Sequence, residues 1–242
     1  MTAGPLYVFV HLFKTGGTTI NGHLARHLSW DEEFVHLGPW GDRVRARDGQ
    51  PDPADWPPER WDRTRVIAGH RVDRSIERFV AGREVRYLTV SRDPADLAVS
   101  RYNFHSSREG DRATFWEWYE TQPRNPSSKR LRKALHAESL SELRDTLNSF
   151  WFVGVTEHLD DDLPHLFAAI GVPTDWVNRR VTGGERDLED LDLGRETFSI
   201  RRHTVLTDEM RARIHAENSG DLRLYRYAIK RRRECRREHG WD

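Results

Sequence analysis

The first residues able to do chemistry form a short loop near the N-terminus. Lys14-Thr15-Gly16-Gly17-Thr18-Thr19 follows the apolar run 6–10 and precedes a helical pattern. Paired glycines allow close backbone approach, and a helix N-terminus offers unpaired N–H groups to an anion. Lys14 adds a positive charge, and Thr18 and Thr19 add hydroxyl donors. The loop predicts a phosphate or sulfate site; the alternative is an ordinary glycine-rich turn whose threonines cap the helix.

A second candidate for anion binding follows the third apolar run. Arg92 stands two residues after the end of that run, and Ser100 lies eight residues on, in a helix that Pro94 is expected to open. Taken alone, Arg92 is explained by a salt bridge to Asp93; with Ser100 in register we favour an anion site.

The pattern disfavours a kinase or ATPase. The loop fails the Walker A motif GxxxxGK(S/T), because Lys14 precedes the glycines. Enzymes that use MgATP usually place an acidic metal ligand at a strand end, where this chain presents Arg92.

Transfer of a group to a hydroxyl or amine also needs a proton acceptor, and histidine titrates close to neutral pH. Among twelve histidines, His70 stands out because Gly69-His70 ends a predicted strand beside the loop. His11 precedes the loop and could instead fix its shape through a backbone hydrogen bond. His105 and Glu157 are weaker candidates, and Glu157 is expected to order the sheet end.

These residues lie where predicted strands end. Apolar runs predict strands over 6–10, 66–68, 85–90 and 150–155. Helices are expected after the loop, from Pro94 to about Asn103, over 129–148 and 159–170, and from Thr207 and Asp221. Alternating strands and helices predict a central parallel sheet flanked by helices in a three-layer α/β domain, with ligands beyond the carboxyl ends of the strands.

Length and composition narrow the class of protein. The chain has 242 residues, which suits one domain, and 39 basic residues balance 39 acidic ones, so no nucleic-acid partner is indicated. Cys235 is the one cysteine, and no histidine spacing indicates a metal site. The longest apolar run is far shorter than a membrane span, and no signal peptide precedes it, so we expect a cytoplasmic protein without a membrane partner.

Taken together, these motifs resemble a known family. His11-Leu12-Phe13-Lys14-Thr15-Gly16-Gly17-Thr18-Thr19 is similar to the 5'-phosphosulfate loop of sulfotransferases that use 3'-phosphoadenosine 5'-phosphosulfate (PAPS), in the branch of the heparan sulfate 2-O-sulfotransferases. Ser91-Arg92-Asp93-Pro94 followed by Ser100 resembles their 3'-phosphate motif. Weaker similarity at 152–157 and 218–228 extends the resemblance from residue 6 to about 230. Phe13 departs from it, because a proline usually precedes the lysine.

The resemblance implies a P-loop-like sulfotransferase fold and in-line sulfuryl transfer from PAPS without a metal, leaving adenosine 3',5'-bisphosphate. Lys14 would stabilise the leaving group, and His70 would be the base, since relatives carry a Gly-His pair here. The loop Lys14 to Thr19 would hold the 5'-phosphate, and Arg92 and Ser100 the 3'-phosphate. Relatives often bring a cation to the nucleotide where Arg201 and Arg202 stand, although a solvated loop explains these two equally well.

The resemblance is weak in expected insertions near 31–63, 106–149 and 173–200, where acceptor recognition would lie. A carbohydrate or a small molecule bearing a hydroxyl or amine stays open as acceptor, and the lack of a membrane anchor favours a small cytoplasmic one, as in bacterial secondary metabolism. Tryptophans in these insertions either line an acceptor pocket or pin long loops: Trp40, Trp56, Trp61, Trp116 and Trp118.

Three further questions stay open from the sequence. The basic tail 230–237 either attracts a polyanion or is the solvated face of a terminal helix. A nucleotide or small-molecule kinase with a degenerate phosphate loop, and a catalytically silent nucleotide-binding module, are the alternatives to a sulfotransferase. The sequence does not indicate an oligomeric state.

Overall fold

A parallel sheet is the centre of the described part of the chain. The computed structural model describes residues 4–30, 32–38, 53–80, 82–109, 113–176 and 204–241. Five strands pair in the order β2-β3-β1-β4-β5: β1 (Leu6–Val10), β2 (Phe34–His36), β3 (Val66–Gly69), β4 (Val85–Ser91) and β5 (Phe152–Val155). In the central strand, Val8 lies opposite Ile67 of β3 and Tyr87 of β4. The predicted central parallel sheet is confirmed.

Helices connect and flank these strands. They are α1 (Gly17–His27), α2 (Pro58–Arg63), α3 (Pro94–Glu109), α4 (Phe115–Glu120), α5 (Pro126–Leu135), α6 (Leu140–Asn148), α7 (Leu159–Ile170), α8 (Asp208–Glu217) and α9 (Ser219–His239). Short 3-10 turns occur at Pro53–Asp55, Arg74–Phe79 and Thr156–His158.

Two apolar cores, one on each face of the sheet, produce the three layers. Successive strand side chains point to opposite faces. Leu6, Val8 and Val10 accordingly join a cluster with residues of α2, α5, α6 and α9, whereas Tyr7 and Phe9 join a second cluster with residues of α1 and α7. Burial on both faces explains why the strands are continuous apolar runs rather than alternating ones.

Several expected boundaries were wrong. The segment 31–63, expected to be an insertion, includes β2 and α2 among its described residues, and Phe34 is fully buried. The helix expected over 129–148 is two helices, because His136 adopts a left-handed backbone with φ 55° after α5. Helix α3 runs beyond Asn103 to Glu109. By contrast, α7 covers the predicted range 159–170, with Gly171 as its C-cap, and α8 opens at Thr207 as predicted, with Thr207 as its N-cap.

The basic C-terminal helix covers the outer edge of β5. Arg231 donates from Nη2 to the carbonyl oxygen of Phe150 (3.2 Å), and a ring nitrogen of His239 donates to that of Trp151 (2.7 Å). Arg232 is buried and donates two hydrogen bonds to Asp162, which is fully buried. Part of the basic tail therefore has a structural role. Within the described ranges, no helix has the length and apolarity to cross a membrane.

Three tryptophans of the described insertions pack inside the domain, whereas Trp116 is only half-buried. Trp56 and Trp61 are buried with ring centres 4.7 Å apart, and Trp61 stacks on Phe79. Trp118 is buried against Tyr102 and Phe115. These contacts favour the interpretation that such residues hold long connections onto the core. Trp40 lies outside the described residues.

Candidate active site

Three neighbouring strand ends bring the predicted residues together. Strands β3, β1 and β4 are adjacent and parallel, so their carboxyl ends share one edge of the sheet. His70 follows β3, the glycine loop follows β1, and Arg92 follows β4. Arg92 donates from Nη1 to the Lys14 carbonyl oxygen (3.1 Å), and His70 Nδ1 bonds the His11 carbonyl oxygen (3.0 Å). Both flanking strand ends are thus tied to the loop of the central strand.

The glycine loop leaves backbone donors at the start of α1. Lys14 takes a left-handed backbone with φ 62°, and Thr15 donates its buried hydroxyl to the Leu12 carbonyl oxygen (2.9 Å). Gly16 is the N-cap, and no side chain caps α1. The threonines therefore do not cap this helix, contrary to the ordinary-turn interpretation. First-turn amides of a helix generally lack an intrahelical acceptor, although the Thr19 amide here donates to the Gly16 carbonyl oxygen (3.0 Å). Thr18 is only half-buried beside them.

The ring of His11 packs against the glycine loop and constrains its shape. A Cβ atom on Gly17 would lie 1.8 Å from Nε2 of His11, so only glycine allows the ring to approach. The His11 ring also stacks on Phe9 (centres 5.2 Å apart) and on His70 (4.3 Å apart, planes at 22°). His11 is itself buried. These contacts favour the interpretation that His11 fixes the loop rather than acts as a base.

The orientation of His70 follows from a close approach of β2 and β3. Gly69 has φ 142°, and a Cβ there would lie 2.0 Å from the Leu37 carbonyl oxygen. His70 then turns its Nδ1 toward the carbonyl oxygen of His11, which can only accept a hydrogen bond. Nδ1 therefore carries the proton, and Nε2 is the basic nitrogen of the neutral ring.

The surroundings of His70 favour its neutral form. Burial lowers the pKa of the imidazole below its ordinary value, the hydrogen bond to His11 opposes this change, and the charge of Arg130 adds to it. Desolvation disfavours the charged form of a histidine. The imidazole is accordingly available to accept a proton at neutral pH.

Two residues of this region were not found from the sequence. Arg130 of α5 donates from Nη2 to the carbonyl oxygen of His70. Phe104 of α3 lies beneath Lys14, whose Nζ is 4.4 Å from the ring centre. Phe104 stands four residues after Ser100, hence one turn further along the same helix, and this spacing could have identified it. No comparable signal marks Arg130.

Asp93, the residue after Arg92, organises the chain at the end of β4. Asp93 is buried and caps α3, accepting a hydrogen bond from the Ala95 amide (2.9 Å). Its own amide donates to Oε1 of Glu157 (3.3 Å), which confirms that Glu157 orders the sheet end. The Asp93 carboxylate pairs with Arg211 and His215 of α8. The ion pairs of Asp93 thus come from α8, which does not favour the salt-bridge explanation of Arg92.

The remaining predicted residues are less informative. Ser100 is half-buried on α3, in the helix that begins beside Arg92. His105 packs near the Trp118 ring, with centres 6.2 Å apart. Arg201 and Arg202 lie outside the described residues. Across the described ranges, no group of three His, Cys, Asp or Glu side chains is arranged to hold a metal ion.

Chemically, this edge of the sheet suits an anion with two charged ends. Lys14 and the first-turn amides provide donors after β1, and Arg92 provides a guanidinium after β4. His70 places an imidazole whose neutral form is favoured after β3.

Comparison with known proteins gives only distant similarity. No family model and no curated protein matches the chain. A sulfotransferase from Alicyclobacillus acidocaldarius is 17% identical, with 90% of this chain and 93% of that chain covered and a TM-score of 0.43. A retinol dehydratase in complex with androsterone and inactive cofactor PAP is 14% identical (90% and 80% covered, TM-score 0.41). A retinol dehydratase in complex with retinol and PAP is 12% identical (92% and 82% covered, TM-score 0.35). At TM-scores this low, these similarities assign neither a fold family nor a function to this chain.

Proposed function

We propose that this chain is a sulfotransferase that moves a sulfuryl group from PAPS to a hydroxyl or amine of an acceptor. One observation carries the proposal: Lys14, His70 and Arg92 follow three adjacent parallel strands, and hydrogen bonds tie both flanking residues to the loop that carries Lys14. Such edges are where open parallel sheets bind their ligands.

The donor set fits a nucleotide that is phosphorylated at both the 5' and the 3' position. The loop Lys14 to Thr19 would hold the 5' end, because its helix N-terminus is uncapped by any side chain and Thr18 is accessible. Arg92, with Ser100 in the following helix, would hold the 3'-phosphate, since a guanidinium pairs with phosphate through two parallel bonds. When bound, PAPS supplies the activated sulfuryl group.

The role proposed for Lys14 is charge stabilisation. The ammonium of Lys14 lies over the Phe104 ring, and the carbonyl oxygen of Lys14 accepts a hydrogen bond from Arg92. A compact cation at this point would counter the negative charge that grows on the leaving phosphate oxygen. The left-handed backbone of Lys14, unusual for a residue with a side chain, is a strained conformation of the kind found at functional sites.

The role proposed for His70 is to accept the proton of the acceptor. Nε2 is the unprotonated nitrogen, because Nδ1 donates to His11. Burial lowers the pKa of the ring, so the base form is populated at neutral pH. The acceptor oxygen or nitrogen would bond to sulfur as the bond between sulfur and the bridging oxygen of the 5'-phosphate breaks. The proton of the acceptor would pass to Nε2 of His70, and the bridging oxygen would leave on adenosine 3',5'-bisphosphate.

The exposed ring of Phe13 beside the proposed base suggests one property of the acceptor. Phe13 is 44% exposed, although it is a large apolar residue. Its ring centre lies 5.9 Å from that of His70 and 5.6 Å from that of Phe104, edge to face. An exposed ring flanking a base favours an acceptor with an aromatic or apolar face next to its reactive group.

Titration calorimetry tests the donor assignment. We expect the wild-type protein to bind adenosine 3',5'-bisphosphate more tightly than ATP, and Arg92→Ala to lose this preference. Arg74→Ala, an exposed arginine paired with Glu77, is the matched control and should change neither affinity. Tighter binding of ATP, with turnover that requires magnesium, would contradict the proposal and support a kinase. Specific bisphosphate binding without transfer to any of a wide set of hydroxyl and amine acceptors would support a silent binding module instead.

A further inference from the structure

The carboxylate beside Arg92 is held by a distant helix. His215 places Nε2 at 3.0 and 2.9 Å from the two oxygens of Asp93, and Arg211 places Nη1 at 3.0 Å from Oδ1. A carboxylate only accepts, so His215 donates from Nε2. Asp93 is buried, and its side chain is 10% exposed. Two donors from α8 thus meet one carboxylate at the end of β4.

This arrangement is built into the packing of α8. Ile214, adjacent to His215, is fully buried in an apolar cluster with Ala95, Ala98 and Tyr102 of α3. Thr207 caps α8 by accepting a hydrogen bond from the Met210 amide (3.2 Å). The apolar contact fixes the position of α8 along the axis of α3, and this position places His215 opposite Asp93.

An uncompensated Asp93 would oppose anion binding. Asp93 is the residue next to Arg92, so without α8 its charge would attract the Arg92 guanidinium or repel a phosphate bound there. Charges on adjacent residues interact strongly where solvent screens them poorly. The donors of α8 oppose both effects because they hydrogen-bond the Asp93 carboxylate, and Arg211 shares its positive charge between Asp93 and Asp96.

We propose that His215, assisted by Arg211, is a positioning residue for the 3'-phosphate site: it holds Asp93 on α8 and thereby leaves Arg92 able to pair with the phosphate. The inference rests on the proposed function, in which Arg92 binds the 3'-phosphate. Neither residue of α8 needs to contact the nucleotide.

The test compares two nucleotides that differ only in the 3'-phosphate. Calorimetry measures the affinities of adenosine 3',5'-bisphosphate and adenosine 5'-phosphate for wild type, His215→Ala and Arg211→Ala. We expect each variant to lose about tenfold in affinity for the bisphosphate, a span seen for coupled neighbouring charges, with no change for the monophosphate. Arg213→Ala, on the same helix but bonded to Glu120 and Glu217, should leave both affinities unchanged.

A double-mutant cycle separates positioning from general loosening of the structure. If His215 acts through Arg92, then His215→Ala should have no further effect on bisphosphate affinity in an Arg92→Ala background. If it acts through the charge of Asp93, the loss should also be small in Asp93→Asn, where asparagine still caps α3. Equal losses for both nucleotides, or additive losses with Arg92→Ala, would overturn the inference.

Failure of the inference and failure of the proposed function give different results. A wild-type protein with no preference for the bisphosphate over the monophosphate would refute the 3'-phosphate site itself. A wild-type protein with that preference, retained in both His215→Ala and Arg211→Ala, would refute only the positioning role. Should His215→Ala not fold, Arg211→Ala provides the same comparison, and His215→Gln, which keeps a donor, should retain the wild-type affinities.

Discussion

His70 donates from Nδ1 to the carbonyl oxygen of His11 at 3.0 Å, while the two rings stack with centres 4.3 Å apart. The hydrogen bond fixes the tautomer, and the stacking fixes the plane of the ring. The same backbone carbonyl belongs to the residue that leads into the glycine loop. One contact thus sets the orientation of the proposed base relative to the proposed donor site.

Replacing this base should stop transfer without weakening nucleotide binding. We expect His70→Ala to lower kcat by about 100- to 10,000-fold, the usual contribution of a general base. The affinity for adenosine 3',5'-bisphosphate, measured by calorimetry, should stay close to wild type. His105→Ala is the control and should retain turnover; the opposite pattern would assign the base to His105.

The pH dependence of kcat/KM should show an acid limb below pH 6.5, the ordinary pKa of histidine, because burial lowers the pKa of His70. Activity requires the neutral ring, so it rises with pH through the pKa of the folded protein and is level by neutral pH. Protonation of a buried neutral histidine also costs stability as the pH falls through the same range. A limb centred above 6.5 would indicate a different titrating group.

Replacing Lys14 should lower the rate of transfer more than it lowers the affinity for the product nucleotide. We expect Lys14→Ala to reduce kcat by about 100- to 1,000-fold, as when one group that stabilises transition-state charge is removed. Lys14→Arg keeps the charge but replaces a compact ammonium with a planar guanidinium, and we expect it to restore little. Steady-state kinetics with saturating donor would reveal the difference, and a full rescue by arginine would show that charge alone suffices.

Gly17 should tolerate no side chain. The Cβ of Gly17→Ala would lie 1.8 Å from the His11 ring, so either the ring or the loop must move. We expect loss of bisphosphate binding in calorimetry and a lower melting temperature. Gly4→Ala, where a Cβ would have nothing within 4 Å, is the matched control. Normal binding by Gly17→Ala would mean that the ring position is not needed for the loop.

Phe13 should affect the acceptor rather than the donor. Once an acceptor is found by screening hydroxyl and amine compounds with PAPS, we expect Phe13→Ala to raise its KM with little change in bisphosphate affinity. Phe79→Ala tests general destabilisation, because Phe79 stacks on Trp61 away from the loop. If Phe13→Ala instead weakens the bisphosphate, the ring serves the donor loop.

Local patterns determined the elements that carry the motifs. The strand 6–10, the glycine turn behind it and the helix ending at Gly171 were predictable because their signals are short in range: an apolar run, a turn residue and a cap. For the same reason the positions of Lys14, His70 and Arg92 at strand ends followed from the sequence. Parallel pairing then required these ends to lie on one edge.

Other features depended on contacts that no local pattern encodes. The three-residue strand Phe34–His36 is too short to show a period, and it exists because β3 offers it an edge to pair with. The break at His136 depends on how α5 and α6 each pack against α9.

The residues of the candidate site likewise divide into those that the sequence identified and those that only the tertiary structure brought together. The sequence alone determined which residues carry charge, hydrogen-bond donors and an imidazole, and that they follow strands. Only the tertiary structure decided that Arg130 approaches His70, that Phe104 lies beneath Lys14, and that His215 holds Asp93 from 122 positions away. The physical reason is that these pairings depend on how helices pack against the sheet, and that packing is set by the summed burial of many apolar side chains rather than by any one stretch of sequence.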